Sequence, residues 1–265
     1  MRIHSADAEI EYTVLGSGPS LVLLHPFPAH HGIWMAIAEV LSTRYRCVLP
    51  DLRGHGLSEP GLGPATMAKH AADIERICRE QEIGKAVFAG SSIGGYILFE
   101  SWRQHRERFA GLLLCNTRAQ ADSDEARAAR LQSAADVEKH GSAEFVAKSV
   151  DRLVGSTTRR NRPDIADRAR AMMQEMSVRG IIAVQQGMAE RQDSVETSKT
   201  ISVPTFIVAG DEDQVSSIAD AELMQRNIRG SQLGVIPQAG HYAVFEKPEE
   251  VARVMLHFLD GIRWQ

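Results

Sequence analysis

The chain of 265 residues is 43% hydrophobic and 24% charged, with a net charge of −4. That balance suits one large α/β domain or two small ones and excludes a disordered or fibrous polypeptide. The mild acidity leaves no electrostatic footprint for nucleic acid, and the densest basic cluster, Arg159-Arg160-Asn161-Arg162, reads as a solvated loop.

In chain order, the opening MRIHSADAEI lacks the apolar core of a secretory signal, and no later stretch reaches the length of a membrane span. A cytoplasmic protein with no membrane contact is expected. Arg2 to His4 and Ile10 to Leu15 read as a hairpin about the turn at Ser5 to Ala8. Leu21 to Leu24 is a short apolar run stopped by Pro26 and Pro28, and a helical pattern follows over Ile33 to Leu41. YRCVLP gives a second run ending at Pro50, and Met67 to Gln81 is helical. KAVFAG is the third run and leads to a helix over Gly95 to Gln104; GLLLCN is the fourth. VPTFIVAG and QLGVIPQAG are the fifth and sixth, separated by a helix over Asp220 to Asn227. A last helix opens at Pro248, with Glu249 and Glu250 complementing its dipole. Val251, Val254, Met255, Phe258 and Leu259 then repeat at helical spacing. Apolar runs without polar alternation are how strands buried on both faces of a parallel sheet read. Their alternation with helices predicts an α/β fold with a mostly parallel, doubly wound sheet.

Ala119 to Lys199 breaks this rhythm. It holds no convincing strand, only helical sequence with breaks near Gly141, at Gly155 to Pro163 and near Gly180. Eighty residues are too many for a crossover, and the composition is not that of a linker. The expected organisation is a core of residues 1–118 and 200–265 with a helical cap, 119–199, inserted between late strands. Met172 to Met176 fits the cap's own packing and a pocket wall equally well. Cys47, Cys78 and Cys115 lie far apart in apolar elements, an arrangement of buried free thiols rather than a disulfide framework or zinc site.

The third run ends in Gly90-Ser91-Ser92-Ile93-Gly94, a G-x-S-x-G between strand and helix. A corner that tight forces its central residue into strained backbone geometry and leaves no room for a Cβ at the flanking glycines. It lifts one hydroxyl clear of the turn and aims the N–H of Ile93, at a helix N-terminus, toward whatever that hydroxyl attacks. A bare hydroxyl needs a base, and the base an orienting acid. His241, in the loop after the last strand, and Asp211 or Asp213, after the strand before it, stand in the required chain order.

LLHPFP, DLRGHGLS, GSSIGG, VPTFIVAGDED and GHYAVFEKPEE, in this order and spacing, resemble the α/β-hydrolase family over nearly the whole chain outside the cap. The resemblance implies Ser92 as nucleophile, His241 as base and Asp213 as acid, because Gly210-Asp211-Glu212-Asp213 matches the family's G-x-x-D. It implies an oxyanion hole from the N–H groups of Ile93 and Phe27. Pro26 departs from the commoner His-Gly and has no N–H, but Phe27 supplies the donor. HPFP is most similar to the enol-lactonase and small-esterase branch. The implied activity is hydrolysis of a small-molecule carboxylic ester or lactone with no cofactor and no metal. Enol-lactonases, acyl-homoserine lactonases, C–C bond hydrolases and esterases with perhydrolase side activity share the triad, and the same fold also serves small-ligand sensors.

Other residues have plainer readings. Ser91 is off the motif's centre, and Asp211 reads as a loop residue. His25 and His55 read as fixing loop backbones, Asp51 and Arg53 as structural, and Asp122 and Asp124 as helix caps. The pair His30-His31 lacks H-x-x-x-H spacing for zinc. Phe27, Trp34 and Tyr96 are candidates to line the substrate pocket.

Overall fold

The computed structural model describes residues 1–264. Eight strands form one sheet: β1 (Arg2–Ser5), β2 (Ala8–Leu15), β3 (Ser20–Leu24), β4 (Arg46–Pro50), β5 (Ala86–Ser91), β6 (Phe109–Cys115), β7 (Thr205–Gly210) and β8 (Gln232–Ile236). Their spatial order is β1-β2-β4-β3-β5-β6-β7-β8. The β1/β2 and β2/β4 pairs are antiparallel and all the others parallel. The five central parallel strands are buried almost throughout because helices cover both faces, whereas β1 at one edge alternates exposed and buried residues.

The helices are α1 (Met35–Leu41), α2 (Met67–Glu80), α3 (Ile93–His105), α4 (Asp124–His140), α5 (Ala143–Leu153), α6 (Ser156–Asn161), α7 (Pro163–Gln174), α8 (Val178–Ala189), α9 (Val195–Lys199), α10 (Ile218–Asn227), α11 (Ala243–Glu246) and α12 (Pro248–Asp260). Successive residues of a strand face opposite sides. Val22 and Leu24 therefore join a core with Ile74 of α2, Ile97 of α3 and Met224 of α10. Leu21 and Leu23 join a second core with Ile37 of α1 and Met255 of α12.

Helices α4 to α9 lie between β6 and β7, where α8 packs on α4 and α5 on α7. Gly141 and Pro163 mark helix boundaries there, and the break near Gly180 falls at residues 175–177, just ahead of α8 rather than at Gly180 itself. Gly180 lies in the first turn of α8, which Ser177 caps by accepting from Gly180 N–H. The glycine is needed for contact instead: a Cβ at Gly180 would overlap the Gly54 carbonyl, and one at Gly187 the Ala65 carbonyl. The basic cluster is also not a loop. Arg159 and Arg160 are helical in α6, with Arg159 paired to Asp151 and Arg162 to Asp164.

All three cysteines are free and buried, and burial pushes their thiols up to about 12. Among the described residues no helix is long and apolar enough to cross a membrane.

Candidate active site

Strand β5 runs straight into α3 at Ser92, which sits at φ +53°, ψ −114°, in the left-handed region that side chains avoid. The geometry explains the flanking glycines. A Cβ at Gly90 would come within 2.6 Å of the Gly94 oxygen, and one at Gly94 within 2.6 Å of the Leu24 oxygen. Helix α3 therefore begins at Ile93, two residues before the helical pattern, because the corner residue itself opens it. Ser92 is 7% exposed, and its Oγ bonds no described residue. Ser91 is fully buried and points into the protein.

The loops after β7 and β8 bring Asp213 and His241 together. His241 is 1% exposed, and its Nδ1 lies 2.9 and 3.0 Å from the two Asp213 oxygens. The carboxylate accepts, so Nδ1 carries the proton and Nε2 is left with a lone pair, the state required of a base. Burial pushes the Asp213 carboxyl up, but the His241 charge and bonds from His241, Ser216 and Asn116 reverse this and hold it well below the usual carboxylate range. Its remaining donors are the N–H groups of Val215 (2.7 Å) and Ser216 (3.0 Å), the Ser216 hydroxyl (2.6 Å) and the Asn116 amide (3.0 Å). Asp211 is not part of this set; its Oδ1 accepts from Ala239 N–H at 3.4 Å. Ser216 and Asn116 were not singled out from sequence. An Asp followed at i+3 by Ser is a local turn signal, whereas Asn116 reaches the site only through the adjacency of β6 and β7.

Phe27 follows β3, whose Leu24 pairs with Gly90, so its backbone leaves the sheet beside the serine corner. Its ring is half-buried between His55 and Phe145 of α5, each centred 5.7 Å away. The other two aromatic candidates are both buried. Trp34 is fully buried in the core on the α1 and α12 face, since it closes the turn that seats α1 against the sheet. Tyr96 is buried one helical turn beyond Ser92, its ring covered by the Arg191 guanidinium at 4.1 Å. Met172, Met173 and Met176 are buried in the two cores.

Neighbouring polar groups are structural. His25 Nε2 accepts from Leu52 N–H at 2.8 Å, and His55 Nδ1 bonds the Arg53 carbonyl at 3.1 Å. Fully buried Arg53 pairs with Asp73 at 2.7 Å and Asp7 at 2.5 Å. Asp122 caps no helix. It binds Arg130 at 2.5 Å and Arg191 at 2.8 Å at the root of the helical segment, while Ser123 caps α4.

His30, His31 and Asp51 converge, with Glu175 3.4 Å from His30. Several of these atoms are already engaged. Both His31 Nδ1 and His31 N–H donate to Asp51 Oδ1, and His30 Nδ1 accepts from Gly32 N–H. Neutral His30 then carries its proton on Nε2, so it offers no lone pair to a metal.

The alpha/beta hydrolase fold family model matches residues 19–248. The 3-oxoadipate enol-lactonase 1 of Acinetobacter baylyi is 28% identical over 93% of this chain and 91% of its own. A thermophilic esterase from Thermogutta terrifontis superposes with a TM-score of 0.95 at 36% identity, covering 98% of each chain. An enol-lactonase from Burkholderia xenovorans LB400 shares the fold, with a TM-score of 0.91 at 22% identity over 98% of this chain and 100% of its own. With the strained serine corner, the sheet order and these likenesses together, the chain belongs to the alpha/beta hydrolase fold family.

Proposed function

We propose that this protein is a cofactor-free serine hydrolase that cleaves a small carboxylic ester or lactone through an acyl-enzyme. Ser92 attacks the carbonyl as His241 Nε2 takes its proton. The N–H groups of Ile93 and Phe27 hold the oxyanion, and His241 passes the proton to the leaving alkoxide oxygen. Water, deprotonated by His241, then attacks the acyl carbon, and His241 returns that proton to Ser92 Oγ as the Oγ–acyl bond breaks and the acid leaves. Asp213 fixes the tautomer and stabilises the imidazolium. Helices 119–199 form the cap over the site. The observations that carry this reading are the buried His241–Asp213 pair at 2.9 Å, in loops that follow β7 and β8, and a serine held at φ +53° between β5 and α3. Ser92 and His241 close to hydrogen-bond distance when substrate is bound, as apo sites commonly require. The esterase and enol-lactonase relatives support the choice of ester or lactone bonds.

A panel of short-chain chromogenic esters and lactones tests the reading. Turnover by the wild type that vanishes in Ser92→Ala is expected. Single-turnover labelling without catalysis would replace it with a ligand sensor.

A further inference from the structure

Residues 153–158, where α5 gives way to α6, touch the neighbours of both members of the buried pair. Tyr242 N–H, one residue past His241, donates to the Leu153 carbonyl at 3.2 Å. Gly240, one residue before it, faces Gly155 so closely that a Cβ on Gly240 would lie 2.8 Å from Gly155 Cα. On the acid side Glu212, adjacent to Asp213, accepts from Ser156 Oγ at 3.0 Å, from Thr157 N–H at 2.7 Å and from Thr157 Oγ1.

Glu246 joins the two glycines. One carboxylate oxygen accepts from Gly240 N–H at 3.0 Å and the other from Gly155 N–H at 2.9 Å. The side chain is buried at the end of α11, and among the described residues no cation pairs with it. A buried carboxylate without a counter-charge is costly unless hydrogen bonds offset the lost hydration. Only a carboxylate offers one acceptor oxygen to each of two separate N–H groups; an amide offers one acceptor and one donor.

Resting on the hydrolase reading above, we propose that Glu246 is a positioning residue. By tying Gly240 to Gly155 it fixes the backbone on the N-terminal side of His241, so that the cap segment 153–158 sets the aim of the imidazole. The base is thus held from both sides by the cap, through Glu246 before it and through Leu153 after it. The acid is steadied from the same segment through Glu212. Catalytic alignment and cap seating become one structural unit.

Two substitutions in the full chain test this. Glu246→Gln keeps the shape but turns a donor toward one of the two N–H groups. Gly155→Ala, at a φ of −56° that any residue adopts, puts a Cβ 2.8 Å from both the Glu246 oxygen and the Gly240 nitrogen and 2.9 Å from a Glu212 oxygen, and so attacks the whole junction from the cap without changing charge. Misplacing a catalytic group by a fraction of an ångström to one ångström costs up to about 100-fold. Each variant is expected to lower kcat on a short-chain chromogenic ester about 10- to 100-fold, with KM changed less than about threefold. The low-field proton NMR signal of the His241 Nδ1–H bonded to Asp213 is expected to shift or broaden in both. Folded variants with wild-type kcat and an unmoved signal would overturn the proposal, as would a rise in KM alone. Should Glu246→Gln fail to fold, Gly155→Ala decides. If the wild type turns over no ester, the hydrolase reading fails, and the NMR comparison still decides the role of Glu246.

Discussion

An aspartate that orients an imidazole has to be ionised, fixed and aimed, and of the two in the β7 loop only Asp213 is all three. Five donors converge on it, and its carboxyl is held well below the ordinary range despite burial. Asp211 makes one long bond to a loop amide. Steady-state kinetics should therefore separate them: Asp213→Asn lowers kcat by about 10⁴-fold, and Asp211→Asn leaves it within a few-fold. A crippled Asp211→Asn would reverse the assignment. Chain order and turn chemistry made the serine, histidine and aspartate candidates legible in sequence. Glu246 and Asn116 were not, because the partners Gly155 and Asp213 lie 91 and 97 positions away. The packing of the aromatic candidates was hidden for a similar reason. Trp34 and Tyr96 are near the site in sequence, but side-chain direction sends one into the core and puts the other beneath Arg191.

At the scale of the element, the strand-to-helix corner is the feature whose physics was clearest in advance, since two glycines around a serine imply a close crossing. Gly90→Ala forces overlap with Gly94 and should cost about 1–3 kcal/mol. That is a fall of several degrees in the thermal midpoint, with kcat falling alongside because the serine moves. A variant with unaltered melting and turnover would remove the steric argument. The strands of the sheet were readable because apolar runs buried on both faces carry no competing signal. Helix starts were less so: Ser92 and Ser217 open α3 and α10 two residues before the apolar pattern begins. Gly180 shows the limit of reading glycine as a breaker, since the same residue that weakens a helix lets two backbones touch.

For the molecule as a whole, imidazoles that burial keeps neutral make stability depend on pH. Burial lowers His25, His30, His55 and His70, with His55 brought to about 4. Buried neutral imidazoles bind protons less readily than in the unfolded chain, so unfolding takes up protons and stability falls as pH drops below about 6.5. A tenfold change in proton affinity is worth about 1.4 kcal/mol, so His55 alone contributes a loss on the order of 3 kcal/mol by pH 4. His31, raised by its bond to Asp51, offsets part of this. Denaturant midpoints should decline from pH 7 to pH 4.5; a flat profile would contradict the buried neutral state. Arg53 provides a second test. Arg53→Met strands Asp73 without its partner and should cost about 3–5 kcal/mol while leaving the kcat of the folded protein unchanged. The α/β class was legible at this scale from alternation alone. The buried histidine row was not, because each of its members reads singly as an ordinary loop or helix residue.

The most direct test of the account is covalent. A fluorophosphonate reacts with a serine only when a base activates it and an oxyanion hole receives the charge. Mass spectrometry of the treated protein should find one adduct, on the peptide carrying Ser92, abolished by Ser92→Ala and strongly slowed by His241→Ala. An adduct on another residue, or ester turnover that survives Ser92→Ala, would contradict it.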